Sequence, residues 1–284
     1  MKKVKLILCL SLLLATGCFK RDNLEDITIY STSYPIEYIV DNLYGEHSII
    51  KSIYPNGVDI NNYSLTEKQI RDYSKANMYI FNGLTKEKDY VIDMVNNNHN
   101  LMIIDASSTI EYSNSVEEIW LDPSNFLMMA LNIKNGLNDY ITNHYLKNSI
   151  EENYENLKIK ISNLDAKLKL LYENATTTTI ITDTNTLTFL EKYGFNIISL
   201  DSNTVTDKMI SDAINHLNKM SNKYILTLDA NNSSDVVNRV VDKTKAELLT
   251  LHKLSNLTDK EKANKEDYIT LFNQNIEQLK KALY

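Results

Sequence analysis

The feature that most constrains the fold is an alternation of short apolar runs with helical patterns, on both sides of one long amphipathic stretch. Short runs bounded by turn residues are typical of buried strands. Strands that alternate with helices at this pace predict parallel sheets with helices on both faces. The predicted strands are 27–30, 48–54, 78–81, 101–104, 177–182, 197–200, 224–228 and 247–251.

The long amphipathic stretch separates two groups of these strands. Residues 148–172 place six apolar side chains on one stripe, which predicts a single long helix packed between two lobes. We therefore predict an α/β protein: an N-terminal lobe (27–145), a linking helix (146–174) and a C-terminal lobe (175–284), with a ligand cleft between the lobes. Further helices are predicted at 34–44, 66–75, 89–95, 124–141, 187–193, 208–220, 234–244 and 265–283.

The first residues have the pattern of an export signal. Three lysines precede an apolar run over residues 6–15, which is too short to span a bilayer. The run ends in Ala-Thr-Gly before Cys18, which resembles the bacterial lipobox, where the signal is removed and the cysteine takes a lipid. We expect a signal peptide over 1–17 and a tether over 18–26 that is anchored on the extracytoplasmic face of the cell membrane. The alternative is an ordinary cleaved signal with a chance cysteine.

Cysteine content and charge limit the partners of the mature chain. Cys9 would leave with the signal, so that only Cys18 remains and neither a disulfide nor a thiolate metal site can form. The formal charge of the whole chain is -7, and removing three lysines and no acids takes the mature part to -10. This charge argues against nucleic acid as a partner and is compatible with a cation ligand.

The motifs of common enzyme classes are absent from the sequence. The chain has 6 glycines and 3 prolines, and it contains no GxGxxG, GxxxxGK[ST] or GxSxG segment. It also lacks the histidine spacings of zinc hydrolases and a Ser-His-Asp signature. We therefore expect a protein that is not an enzyme.

Several segments, in the same order along the mature chain, carry a resemblance to one known family. They resemble segments of the cluster A-I substrate-binding proteins, which serve zinc and manganese ABC importers. The resemblance implies a monomeric receptor that holds one divalent metal ion in the cleft with two residues from each lobe, and delivers it to a membrane permease. The segments are Pro-Asn-Gly-Val-Asp-Ile-Asn-Asn-Tyr (55–63), Asn-Gly-Leu (82–84), Trp-Leu-Asp-Pro (120–123), Ser-Asn-Leu-Thr (255–258) and Glu-Asp-Tyr-Ile (266–269).

The same resemblance implies four metal-ligand positions, and this chain departs from the family at them. Asn61 and Glu118 stand where the family has histidines in the first lobe. The third position falls at Asp183 or Thr184, and the fourth, usually an acid, falls near His252. The histidines that match no ligand position are His47, His99, His144 and His216.

Two hypotheses follow from these departures. In the first, Asn61, Glu118, Asp183 and His252 form an oxygen-rich site, which favours Mn²⁺ over Zn²⁺ because amide and carboxylate oxygens are harder donors than imidazole. In the second, the metal site is lost, and the chain binds another solute or serves as a surface adhesin or interaction lipoprotein. No cofactor is expected in either hypothesis, and only the first gives the chain a divalent ion, Mn or Zn, as cargo.

Overall fold

The computed structural model describes residues 24–284 and contains two parallel four-stranded sheets flanked by helices. The strand orders are β2-β1-β3-β4 and β6-β5-β7-β8, so each lobe repeats the same topology and the predicted α/β class is confirmed. The strands of the first sheet are β1 (Ile27–Ser31), β2 (Ser48–Ser52), β3 (Met78–Phe81) and β4 (Met102–Asp105). Those of the second are β5 (Thr179–Thr182), β6 (Asn196–Ser199), β7 (Tyr224–Thr227) and β8 (Glu247–Thr250).

The helices follow the predicted positions within a few residues at their ends. Their bounds are α1 (Tyr34–Tyr44), α2 (Glu67–Tyr73), α3 (Asp89–Asn97), α4 (Glu118–Leu121), α5 (Pro123–Tyr140), α6 (His144–Glu173), α7 (Asp207–Lys219), α8 (Asp235–Thr244), α9 (Asp259–Ala263) and α10 (Tyr268–Leu283). Two of them, α4 and α9, are short and were not predicted. In the part of the chain that the structure describes, no helix is both long and apolar enough to cross a membrane.

The long linking helix is α6, which begins at the cap residue Asn143 and runs for 30 residues. The side chain of Asn143 accepts hydrogen bonds from the N–H groups of Tyr145 and Leu146, which satisfies donors of the first turn. The helix buries the predicted stripe against α1, α5 and α10. The buried stripe residues are Ile150, Tyr154, Leu157, Ile161, Leu164 and Leu168. The exact domain boundaries at 145 and 174 stay a prediction.

One continuous hydrophobic core joins the two lobes. It extends from the first sheet through α6 to α10 and includes Leu187 and Leu226 of the second lobe. The aromatic ring of Tyr268, the first residue of α10, lies 4.2 Å from the ring of Phe126 and 5.5 Å from that of Tyr38. A second, smaller core lies within the second lobe, between its sheet and helices α7 and α8. The C-terminal helix therefore contributes to the packing of the first lobe.

The segment predicted as an α-helix at 187–193 is instead a 3₁₀ helix over Asn185–Tyr193. Threonine hydroxyls compete there with the helical hydrogen bonds, since Thr184 accepts from the N–H of Thr186 and Thr188 donates to the carbonyl of Asn185. The segment ends at Gly194, whose φ of 105° lies in the left-handed region that favours glycine. The prediction placed the segment correctly but gave it the wrong helix type.

Candidate functional site

The first predicted ligand, Asn61, lies in the loop after β2 and has other partners. Its side-chain amide donates to Glu117 Oε1 at 3.1 Å, and its backbone carbonyl accepts from Lys86 Nζ at 2.9 Å. Both Asn61 and Lys86 line a cavity of about 340 Å³. An ammonium group therefore lies beside Asn61, where the sequence resemblance predicts a cation ligand, and it disfavours a second positive charge.

A carboxyl group that sequence reasoning missed lies at the wall of the same cavity. Glu87 is only 2% exposed, and its carboxyl accepts from the Tyr54 hydroxyl at 3.1 Å and from the Asn82 N–H at 3.0 Å. Burial raises the pKa of Glu87 above its usual range, although these hydrogen bonds act to lower it. The only sequence signal near Glu87 is the Asn-Gly-Leu segment that ends β3, and nothing in it singles out position 87.

The second predicted ligand, Glu118, is 5% exposed and is directed toward its own loop. Its carboxylate accepts from three consecutive backbone N–H groups: Ser113 at 3.0 Å, Asn114 at 2.9 Å and Ser115 at 3.1 Å. Charge-assisted hydrogen bonds of this kind are stronger than neutral ones. Both carboxylate oxygens of Glu118 are thus engaged in shaping the loop over 113–115.

The third predicted ligand, Asp183, follows β5 in the second lobe. One carboxylate oxygen, Oδ2, accepts a short hydrogen bond from the Thr227 hydroxyl, and the other, Oδ1, is buried without a hydrogen-bond partner. Burial raises the pKa of Asp183, and the negative charges of Asp201 and Asp229 raise it further. Asp183 therefore has one buried carboxylate oxygen without a hydrogen-bond partner.

The fourth predicted ligand, His252, follows β8 and has both ring nitrogens engaged. Nδ1 accepts from the Leu254 N–H at 2.9 Å, so the ring proton is assigned to Nε2, which lies 3.1 Å from Glu261 Oε1. Burial lowers the pKa of His252, although the charge of Glu261 opposes this shift. The backbone of His252 is bound by Asn275, which accepts from its N–H at 2.6 Å and donates to its carbonyl at 2.9 Å.

The four predicted ligands thus have separate partners. Within residues 24–284, no group of three or more His, Cys, Asp or Glu side chains is arranged to hold a metal ion. Cys18 lies outside the described residues. The remaining histidines lie elsewhere: His47 ends a 3₁₀ turn after α1, His99 precedes β4, His144 begins α6 and His216 lies in α7.

Hydrogen bonds between the lobes surround these positions. Trp120 Nε1 donates to the Lys253 carbonyl at 2.8 Å, and the hydroxyl of Tyr268 donates to the Trp120 carbonyl. The Gly57 N–H donates to the Leu257 carbonyl at 2.8 Å. The segments that contain Gly57, Trp120, Leu257 and Tyr268 therefore meet in space.

The sequence of the chain matches one family model over residues 29–282, and that family is described as the periplasmic component A of the zinc-uptake complex, ZnuA. The chain belongs to the ZnuA family. This is a family of ABC-transporter substrate-binding receptors and not of enzymes, as the sequence resemblance predicted.

Two relatives illustrate how far the similarity to the ZnuA family extends. The metal ABC transporter substrate-binding lipoprotein SloC of Streptococcus mutans is 27% identical over 198 residues, which cover 60% of this chain and 65% of SloC. The zinc-binding protein AdcA of Streptococcus pyogenes is 21% identical over an alignment of 296 positions. This alignment covers 89% of this chain and 55% of AdcA. The chain thus spans less than two thirds of the length of these relatives.

Solved structures of the ZnuA family share the fold at low sequence identity. The metal-dependent lipoprotein YcdH of Bacillus subtilis superimposes with a TM-score of 0.75 at 18% identity, over 91% of this chain and 99% of YcdH. The Zn(II)-bound ZnuA-like domain of AdcA from Streptococcus pneumoniae gives 0.72 at 17% identity, over 91% of this chain and 99% of that domain. These matches establish the two-lobed fold.

The pH dependence of stability should report the raised pKa of Asp183. Because the folded state binds this proton more tightly than the unfolded state, the stability contribution of Asp183 falls as pH rises from the ordinary value of 3.8 through the raised pKa. We expect Asp183→Asn to be increasingly stabilising, relative to wild type, as the pH rises from about 4 through the raised pKa of Asp183. Urea unfolding of both proteins across this range measures the difference, in which the contributions of groups that do not interact with Asp183 cancel.

Thr227→Val provides a test of the sign of this effect. The Thr227 hydroxyl lowers the pKa of Asp183 by its hydrogen bond, so removing the hydroxyl should steepen the loss of stability with rising pH. A pH profile for Asp183→Asn that runs parallel to the wild-type profile would contradict the assignment.

Proposed function

We propose that the chain is the lipid-anchored, extracytoplasmic substrate-binding subunit of an ABC importer, which takes cargo between its lobes and delivers it to a membrane permease. The observation that carries this proposal is the family match over residues 29–282. The lipobox-like sequence before Cys18 supports the anchor, as does the lipoprotein name of the S. mutans relative.

For the cargo we propose a divalent cation bound in the interlobe cleft by Asn61, Glu118, Asp183 and His252. Their oxygen-rich donor set favours Mn²⁺ over Zn²⁺ because harder oxygen donors replace imidazoles. Asp183 supports this proposal, since its Oδ1 is buried and uncommitted and would gain a cation as a partner. Binding would require Glu118 and His252 to exchange hydrogen bonds for the ion.

A second candidate function is favoured by a specific observation in the first lobe. The Lys86 ammonium lies against Asn61, and both oxygens of Glu118 are engaged by backbone N–H groups. An arrangement of this kind fits a receptor for another solute, or a surface adhesin or interaction lipoprotein that binds no metal. The two-lobed fold is common to both candidates, which differ in the cargo and, for an adhesin, in whether the chain serves an importer.

The experiment that separates the two uses the soluble chain beginning after Cys18. We expect mass spectrometry of the purified protein to show near-stoichiometric metal. Most protein sites bind Zn²⁺ more tightly than Mn²⁺, and we expect calorimetry to show that this gap in dissociation constants is reduced here. Asp183→Ala should abolish binding. Asp201→Ala is the matched control, because it removes a neighbouring negative charge that is not a predicted ligand. Neither metal nor heat with either cation would contradict the metal cargo and leave the second candidate.

A further inference from the structure

A groove of about 430 Å³ runs along α1 beside the strand β2. β2 lies at the edge of its sheet, where it pairs with β1. The Ile53 N–H, just beyond β2, donates to the Ser31 carbonyl at the end of β1. Because the backbone groups of successive residues point to opposite sides of a strand, those of Ser48 and Ile50 point away from the sheet. Both residues line the groove, so it borders donors and acceptors with which an added strand can pair.

The lining of this groove is mainly acidic. Glu37 and Asp41 lie one turn apart on α1, and the N-cap of α10, Asp267, adds a third carboxylate. The positive group of the lining is the ammonium of Lys160. Burial raises the pKa of Glu37, the charge of Lys262 opposes this shift, and the charge of Asp41 adds to it. Lys262 Nζ lies 4.0 Å from the Glu37 carboxylate, at the outer limit of an ion pair, so this acidic groove favours a further cationic occupant.

The described chain begins at the foot of the same helix. Leu24 is buried, and the hydroxyl of Tyr44, the last residue of α1, donates to the Leu24 carbonyl at 2.6 Å. The preceding residues, Phe-Lys-Arg-Asp-Asn (19–23), carry two positive charges and one negative charge, and they connect Leu24 to Cys18, the expected lipidation site. A basic segment therefore joins the first lobe beside the acidic groove.

The lengths of the basic segment and of the acidic groove agree. Arg21 and Lys20 precede Leu24 by three and four residues, which at about 3.3 Å per extended residue is about 10–13 Å. At about 1.5 Å per helical residue, Asp41 and Glu37 lie about 5 and about 10 Å from the end of α1. An extended path along α1 therefore brings both basic side chains within reach of both carboxylates.

From this complementarity we infer that residues 19–23 dock in the acidic groove as an extended strand antiparallel to β2, with their basic pair facing the two carboxylates of α1. The outward backbone groups of β2 supply the hydrogen-bond partners, and the opposite charges determine the register. The occupant belongs to the same chain, so its effective concentration at the groove is set by the short connection to Leu24.

Docking determines where a lipid on Cys18 leaves the protein. From Leu24 to Cys18 the extended chain spans about 20 Å, and the rise along α1 is about 15 Å. The docked segment therefore brings Cys18 near Tyr34, at the edge of the sheet from which the loops of Asn61 and Glu118 extend. The position of the lipid rests on the proposed anchor at Cys18, whereas the docking itself does not.

Tryptic cleavage of the mature lipoprotein in vesicles of phosphatidylcholine, which carry no net charge, measures the docking. Trypsin cuts after Lys20 and Arg21, and intact mass gives the rate of this cleavage whether or not the protein binds the vesicles. The groove variant, Glu37→Gln with Asp41→Asn, should be cleaved there about tenfold faster than wild type, because the protease cuts only the undocked fraction.

The matched control is Asp242→Asn with Glu247→Gln, which removes two negative charges from exposed sites of the second lobe. It should be cleaved at the wild-type rate. Raising NaCl from about 0.05 to about 0.5 M should bring the wild-type rate toward that of the groove variant, because salt screens the contact. Cleavage within residues 24–284 should be equal in all three proteins, which shows that the groove variant remains folded.

The position of the lipid is tested by energy transfer to a dye on the lipid headgroups. A donor dye on Asn62→Cys labels the edge of the sheet that carries the predicted ligand loops, and one on Asn100→Cys labels the opposite edge, where both residues are exposed. Transfer should be higher from position 62 in the wild-type background, and the difference should fall in the groove variant. Equal transfer from both positions would contradict this placement of Cys18.

Equal cleavage rates for wild type and the groove variant overturn the inference. It is also overturned by protection that appears only in vesicles with phosphatidylglycerol and persists in the groove variant, because the segment then binds anionic headgroups. A protein that does not bind vesicles would contradict the proposed anchor, while the cleavage rates still decide whether residues 19–23 dock.

Discussion

Trp120→Ala is expected to lower the free energy of unfolding by about 3–5 kcal/mol, the usual cost of truncating a buried large aromatic side chain. The indole is 0% exposed and lies within the core that joins the lobes. Its loss removes packing on the first-lobe side, and it also leaves the Lys253 carbonyl without the donor that now lies 2.8 Å away. Chemical denaturation followed by circular dichroism measures the change.

Trp120→Phe separates the two parts of this effect. Phenylalanine retains most of the aromatic packing but lacks the N–H, so it should cost about 1–3 kcal/mol, mainly from the unpaired carbonyl. If Trp120→Ala cost less than about 1 kcal/mol, the buried position of the indole between the lobes would be wrong.

Asn275→Ala is expected to cost about 2–4 kcal/mol because it leaves two backbone groups of His252 unpaired. The Asn275 side chain is 6% exposed and acts as acceptor and donor to the same residue, at 2.6 and 2.9 Å. Losing both contacts should release the strand end that carries His252. Hydrogen exchange of the His252 and Leu254 amides should then rise, whereas exchange in β1 should change only through global unfolding.

Asn273→Ala is the matched control for this prediction. It lies on the same helix and makes the same change in helix propensity. Its side chain donates to the Ile269 carbonyl of its own helix and accepts from Lys167 Nζ in an exposed contact, so no buried backbone group depends on it. We expect a change within about 0.5 kcal/mol, typical of a surface substitution. Equal losses of stability for the two alanine variants would contradict the role assigned to Asn275.

Most strands and helices could be predicted from the sequence, because apolar runs and helix-start residues depend on local backbone chemistry. The run at β3 is entirely buried, and for such a run the apolar pattern alone fixes the strand. Pro35 near the start of α1 likewise marks a helix start, because its fixed φ suits the first helical turn. The 3₁₀ segment was missed as such because its threonines change the hydrogen bonding without changing the apolar spacing.

The site was less predictable, and Glu118 explains why. A motif gives the position of a residue along the chain, but the partner of its side chain depends on the length and path of the neighbouring loop. The Trp-Leu-Asp-Pro segment singled out Glu118 as a candidate ligand, yet it carried no information on the three N–H groups that bind its carboxylate. Lys86 and Glu87 lacked any signal, since a charged residue after a strand is usually solvated.

The ring of Tyr268, stacked on Tyr38 and Phe126 of the first lobe, has a consequence for how the chain is made. Ribosomes deliver a chain from its N-terminus, so all the first-lobe strands have emerged more than a hundred residues before Tyr268 does. Until then, the aromatic cluster of the first lobe is incomplete and its apolar surface is open to other molecules. The first lobe therefore completes its aromatic cluster only when the C-terminal helix becomes available to pack on it.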